Sequence, residues 1–454
     1  MVLLDRTRVF LALALAVLAC AQTAGDSAAT TDRKAPPRVS EGQAYPRTYH
    51  IWGSDRNLGA LARYDMVVGY AYWNVRALRE RNPRGIFLLN PGLQPNNPQE
   101  YRGLAVTYGG VNRWQGATDR LSGGPKLGFI RPFDSYWDEL YNADGSRTQV
   151  NGTFKHGGWN LADPSEKGTA ELVAKVLAHA SKLGGLYQSD WDGIHSDNWI
   201  YRIGVSWFYG PNLDTDRDGQ VDDYDILRRN WAKGLTRVGV LLRAYLPGKI
   251  VGGNGNWNIA AGTGVDFRRY LSRPDDHLRG ANYTLIEGLE LYAGRTDEII
   301  GLAREWLGHS DPRHQPRYLA ILHKLAGEHD YRSMRWGLSL ATIVGAHYEA
   351  YAVSHADMFW YDEYDGGTGI RQRHWLGKPV STPRKLPNGV WRRDFRNGIV
   401  LHNSTTSPQT ISLEGPFVRL AGAQDAAVNN GAVVNKVTIP PSDGLFLRRP
   451  ASTS

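Results

Sequence analysis

The sequence predicts a (β/α)8 barrel, a TIM barrel, followed by a small C-terminal antiparallel β-domain. Three observations carry this. From Tyr45 onward, short apolar runs alternate with helical patterns, the signature of parallel strands and crossover helices. A length of 454 residues suits one large barrel plus an accessory domain. Near Pro379 the texture turns to short β-prone segments split by Asn, Gly and Pro.

The elements follow in chain order. Residues 1–24 read as an export signal: Arg6 and Arg8 supply a charged start, and Val9 to Leu18 a short apolar run. The single cysteine, Cys20, closes that run in Val17-Leu18-Ala19-Cys20, which resembles a bacterial lipobox with Leu18 in place of the usual small residue. Ala19-Cys20-Ala21 also fits a small-x-small cleavage site, so a cell-surface lipoprotein and a periplasmic or secreted protein both stay open. A membrane enters this reading only through such a lipid anchor. Residues 25–44 carry Ala, Ser, Thr, Pro and charge without apolar period, the composition of a disordered tether.

The barrel is expected over 45–380. Its candidate strands are Thr48–Trp52, Met66–Tyr70, Gly85–Leu89, Lys126–Ile130, Gly193–Ser196, Ile250–Gly253, Tyr283–Glu287, Tyr318–Leu322 and Tyr348–Val353. That is one more than eight, and either Lys126–Ile130 or Met66–Tyr70 is expected to be a rim feature. Candidate helices are Ser165–Leu183, Asp223–Tyr245, Thr296–Leu307 and Tyr331–Ala346. The first opens with Asp163-Pro164, an N-cap and first-turn pair. In the second, Leu235, Val238, Leu242 and Tyr245 recur at helical spacing and should face the barrel. A β-sandwich-like domain is expected over 381–450, from Val390–Phe395, Gly398–His402, Ile411–Leu413, Val433–Ile439 and Leu445–Leu447.

Composition removes several function classes. The formal charge of +8 is spread along the chain with no basic block interleaved with aromatics, so nucleic acid is not the expected partner. The 15 tryptophans suit a core and, in part, stacking on sugar faces; Trp52, Trp73, Trp159 and Trp199 are the stacking candidates. His50, His195, His347 and His355 lack the spacing of a zinc set. No Walker loop, dinucleotide fingerprint or Gly-x-Ser-x-Gly stands in a supporting context.

Asp214-Thr215-Asp216-Arg217-Asp218-Gly219 has the spacing of a calcium loop. Such a loop wants oxygen at positions one, three, five, nine and twelve, and glycine at six for the tight turn. Asp214, Asp216, Asp218, Asp222 and Asp225 meet these positions, and Gln220 at position seven offers its carbonyl. Aspartate at position twelve departs from the longer EF-hand glutamate and is closer to extracellular calcium modules such as dockerins. Ca2+ is the expected cofactor, bracing a loop between a strand and its following helix, on the face where barrel enzymes keep their active sites.

Asp190-Trp191-Asp192-Gly193-Ile194-His195-Ser196-Asp197-Asn198-Trp199 places Asp197 at the C-terminal end of a short strand, with Asp192 at its start. Tyr283-Thr284-Leu285-Ile286-Glu287-Gly288 ends another apolar strand on a carboxylate, which desolvation penalises unless the group is paired or used. Capping or calcium ligation for Asp197, and a salt bridge for Glu287, are the plainer alternatives. The two strands stand two apart, so both side chains can converge over the barrel mouth. Glycoside cleavage needs two such carboxyls across the scissile bond. Asn254 and Asn256, after the Ile250 strand, and Asp362 and Glu363, after the last strand, are candidate hydroxyl-binding groups together with Asp192 and Trp199.

Taken in order, four stretches resemble the glycoside hydrolase-like barrel families. They are Asp192 to Asn198, the Glu287 strand end, Trp360-Tyr361-Asp362-Glu363-Tyr364, and Trp391 to Phe395 with Asn397-Gly398. The layout is also similar to the α-galactosidase superfamily, over most of the chain from Tyr45 to Leu447. That resemblance implies Asp197 as nucleophile and Glu287 as acid/base, with a poly- or oligosaccharide as substrate; Glu287 departs from the aspartate usual there. The expected function is an exported, calcium-stabilised glycoside hydrolase. The alternatives are a non-catalytic surface glycan-binding protein on a barrel scaffold, and a different calcium-dependent barrel hydrolase or lyase.

Overall fold

The computed structural model describes residues 44–51, 57–70, 75–90, 141–142, 191–196, 213–214, 223–254, 279–309 and 315–450; residues 70, 90, 141–142, 196, 213–214, 224–232 and 235 are described by their backbone. Eight parallel strands form one sheet in strict chain order: β1 (Tyr49–Ile51), β2 (Met66–Tyr70), β3 (Ile86–Asn90), β4 (Gly193–Ser196), β5 (Ile250–Asn254), β6 (Tyr283–Glu287), β7 (Tyr318–Lys324) and β8 (His347–Tyr351). A parallel bridge between Thr48 and Tyr348 joins the last strand to the first, and Tyr348 N donates to Arg47 O at 3.0 Å. The sheet thus closes on itself as a barrel.

Met66–Tyr70 is a full member of this sheet. Lys126–Ile130, the helix Ser165–Leu183 and residues 1–43 lie outside the described residues. The last strand is shorter than expected and stops at Tyr351. The carboxylate of Asp357 explains this. It accepts the backbone N–H of Ala352, Val353 and Ser354 at 3.1, 2.9 and 3.1 Å, which turns the chain out of the sheet.

The barrel interior is filled by alternate residues of its strands, including Tyr49, Ile51, Met66, Val68, Leu88, Tyr283, Leu285, Tyr318, Ala320 and Leu322. Glycine sets the spacing between the middle strands. A Cβ on Gly193 would lie 2.1 Å from Ile250 O, and one on Gly252 would lie 1.9 Å from Tyr283 O.

The helices cover the outside. α1 (Leu58–Leu61) and α2 (Val75–Arg81) follow the first two strands. α3 (Tyr224–Tyr245) buries Val238 and Leu242 at helical spacing, Tyr245 is half-buried, and Leu246 just past its end is buried. α4 (Thr296–Gly308) buries Ile299, Ile300, Ala303 and Trp306. α5 (Tyr331–Val344) is capped by Asp330, whose carboxylate accepts from Ser333 N at 3.2 Å, and is stopped by Gly345 at φ 92°.

α5 is buried on every side from Met334 to Val344 because a second sheet covers its outer face. That antiparallel sheet has the order β9 (Arg384–Lys385), β10 (Trp391–Phe395), β11 (Gly398–Asn403), β14 (Asp443–Arg448), β12 (Gln409–Arg419), β13 (Val433–Ile439). One face packs on itself through Val390, Ile399, Leu401, Ile411, Phe417, Val437 and Leu445. The other gives Val400, Phe395 and Phe446 to a cluster shared with α5 and the barrel. Arg335 of α5 crosses this seam, with Nε and Nη2 3.0 and 3.1 Å from the carboxylate of Asp443.

Candidate functional site

Parallel barrels build their sites where the strands end, and here the strand ends place the acids by register. Tyr283 and Leu285 face the barrel interior, so alternation turns Glu287 to the same side at the rim. Glu287 pairs in register with Leu322, and Leu322 with Glu349, so two carboxylates flank one leucine in a row across β6, β7 and β8. Glu287 is exposed, whereas the rest of its strand is buried. Asn254, at the end of β5, donates from Nδ2 to Glu287 Oε2 at 2.8 Å and so fixes the carboxylate's orientation. The arginine salt bridge considered for Glu287 is replaced, among the described residues, by this amide.

Glu290 lies just beyond, on the 3-10 turn Leu289–Tyr292, and accepts from Lys324 N at 3.1 Å. Tyr351, at the end of β8, stacks with His355 at a ring separation of 4.3 Å. Burial, reinforced by Glu290 and Glu287, pushes the Tyr351 hydroxyl up to about 12. Burial lowers the pKa of His355, against an opposing pull from Glu287, and so favours the neutral ring.

Beneath the rim lies a buried polar chain. Tyr49 Oη and Tyr283 Oη are 2.8 Å apart, and His195 Nδ1 stands 3.2 Å from Tyr283 Oη. Burial lowers the His195 pKa to about 3, so it stays neutral. Glu349 spans the β8–β1 seam: its Oε2 accepts from Ile51 N at 2.9 Å, and Oε1 lies 2.7 Å from His50 Nδ1. Burial raises the pKa of Glu349, opposed by His50. His347 is also buried, with Nδ1 3.4 Å from Leu319 O.

The other sequence candidates fall elsewhere. Asp192 stands at the opposite, N-terminal end of β4. Its Oδ2 lies 2.6 Å from Arg79 Nη2 and accepts from Phe87 N at 2.8 Å, which ties β3, β4 and α2 together. Asp362 and Glu363 lie on the short helix α6 (Asp362–Asp365) and engage the second sheet's loop: Gln424 N donates to Asp362 at 2.7 Å, and Asn429 Nδ2 to Glu363 at 2.9 Å. Asp197, Trp199, Asn256, Asp216, Asp218, Gln220 and Asp222 lie outside the described residues, as do Trp52, Trp73 and Trp159. Asp214 pairs through its backbone with Tyr141 in a two-residue ladder, and Asp225 falls in the first turn of α3. The sequence reading missed Tyr351 and His355 as rim groups and Glu349 as the buried carboxylate beneath them. The period-two order His347, Glu349, Tyr351 was the available signal.

Residues 180–399 match the model of hypothetical glycosyl hydrolase family 15. The barrel is glycoside hydrolase-like over that stretch, which holds β4 to β8 and Glu287. No curated protein matches the chain. Among solved structures, similarity extends to the glycoside hydrolase domain of PelA from Pseudomonas aeruginosa, at 15% identity and TM-score 0.33, covering 70% of this chain and 97% of that one. A dextranase from Flavobacterium johnsoniae complexed with glucose has 9% identity and TM-score 0.42, covering 92% and 53%. An alpha-amylase from Lactobacillus plantarum has 9% identity and TM-score 0.38, covering 88% and 98%. The α-galactosidase superfamily is not among these findings.

Proposed function

We propose that the protein is a glycoside hydrolase in which Glu287 and Asp197 form the carboxyl pair. The observation that carries this reading is Glu287 itself: an exposed carboxylate at the C-terminal end of a barrel strand, oriented by Asn254, inside the stretch matched by the glycosyl hydrolase family. Asp197 directly follows β4, two strands away. In this reading Asp197 attacks the anomeric carbon as Glu287 protonates the departing glycosidic oxygen; Glu287 then takes a proton from a water that attacks the same carbon and releases the Asp197 carboxylate. Asn254 holds the Glu287 carboxylate in one rotamer, so the proton leaves along a fixed direction. Export, with or without a lipid on Cys20, belongs to the same proposal, as does a poly- or oligosaccharide substrate.

Calcium is proposed as a structural cofactor. The donor set is all oxygen, with Asp214, Asp216, Asp218, Asp222, Asp225 and the Gln220 carbonyl at the right intervals. Of this stretch, Asp214 lies in the Leu213–Asp214 ladder and Asp225 in the first turn of α3. Bound there, the ion would supply charge neutralisation that holds the loop.

A panel of glycans assayed with the wild type, Asp197→Asn and Glu287→Gln tests the reading. Both variants should keep their circular dichroism and lose about 10²–10⁴-fold in kcat. Undiminished activity in both would remove the pair from the site.

A further inference from the structure

Two side chains at the end of β8 are left with open polar tips. Among the described residues, His355 Nδ1 is buried without a hydrogen-bond partner, and Nε2 is neither buried nor hydrogen-bonded. A proton on the buried nitrogen would go unsatisfied, so the neutral ring carries its proton on Nε2. That leaves one N–H directed to the open side. Tyr351 Oη is likewise neither buried nor hydrogen-bonded among the described residues. Both groups sense the charge of Glu287, and the same charge reaches Tyr292 after β6.

The segment carrying them is fixed before any ligand arrives. Asp357 gathers three consecutive backbone N–H groups, and His355 stacks on Tyr351 at 4.3 Å. Val353, at its tip, is 93% exposed, and Leu291 on the turn after β6 is 67% exposed. Open donors beside an apolar edge, preset by a turn, match a sugar ring, which presents hydroxyls around C–H faces.

We propose that Tyr351 and His355 form a wall of the sugar subsite at Glu287, with His355 donating Nε2–H to a ring hydroxyl and Tyr351 Oη bonding its neighbour. The ligand class is a neutral pyranose. This rests on the proposed glycoside reading of Glu287 but concerns binding, not bond cleavage.

Calorimetric titration of maltotriose, isomaltotriose and cellotriose into Glu287→Gln tests it, alone and combined with His355→Phe, His355→Gln or Tyr351→Phe. His355→Phe keeps a ring on Tyr351 and removes the donor; His355→Gln restores an N–H. At least one trisaccharide should bind. His355→Phe and Tyr351→Phe should each weaken it about 3–10-fold, and His355→Gln should recover part of the loss. Thermal melts of each protein separate this from unfolding. Equal affinity in all four proteins, or no binding of any trisaccharide to Glu287→Gln, overturns the subsite. Weakened binding in the ring variants together with wild-type turnover in Glu287→Gln would instead overturn the catalytic reading and leave the subsite standing.

Discussion

Asp65 shows how single side chains hold the barrel's first seam. It caps the start of β2, where Oδ2 accepts from Thr48 N at 2.8 Å and from Thr48 Oγ1 at 3.0 Å, and Oδ1 lies 2.7 Å from His374 Nε2. Burial alone would raise its pKa; the hydrogen bond and charge of His374, with Thr48 and Arg373, outweigh burial and lower it to about 2. A depressed carboxyl pKa stabilises the fold above its unfolded value near 3.8 and loses that contribution as pH falls towards 2. The contribution is about 2 kcal/mol. Asp65→Asn should therefore lower stability at pH 7 by about 1–3 kcal/mol and flatten the stability loss between pH 4 and 2, read by urea unfolding across pH. At the rim, Asn254→Ala leaves Glu287 without its described amide donor and should reduce kcat by about 10-fold with a smaller change in KM.

Among the elements, α5 does most to join the two sheets. Arg335 is 3% exposed, and Asp443 is 2% exposed. Truncating one partner of such a pair strands a buried charge. Arg335→Ala should cost about 3–5 kcal/mol, whereas the double change Arg335→Met with Asp443→Leu should cost much less, in chemical denaturation. The β4–β5–β6 seam is equally intolerant of volume. Gly252→Val would drive a side chain into the Tyr283 carbonyl and should abolish soluble expression or lower Tm by more than 10 °C, by circular dichroism. The proposed calcium loop belongs to this scale as well: if Asp214 to Asp225 hold Ca2+, EDTA should lower Tm, and Ca2+ should restore it.

Across the whole molecule, the alternation of short apolar runs with amphipathic helices made the barrel legible, because strand and helix periods differ. Seven of the expected strands and Met66–Tyr70 assemble in chain order. The shortened β8 was not legible, since its end depends on Asp357 reaching back to three amides. Glu287 was legible as a lone acid closing an apolar strand. Asp192 misled, because a carboxylate beside a strand reads alike at either end; only the Arg79 and Phe87 contacts assign it to the far side. Asp362 and Glu363 have partners in Gln424 and Asn429, more than sixty residues on, which no local pattern announces. The polar chain Tyr49–Tyr283–His195 was hidden for the same reason, as its members come from β1, β6 and β4.

The most direct measurement is chemical rescue of Glu287→Ala on an aryl glycoside that the wild type hydrolyses. The account predicts a folded variant with turnover lowered by about 10²-fold or more, and partial recovery with added azide as a glycosyl azide forms in the vacated space. A folded Glu287→Ala that hydrolyses the glycoside at the wild-type rate, with no response to azide, would contradict it.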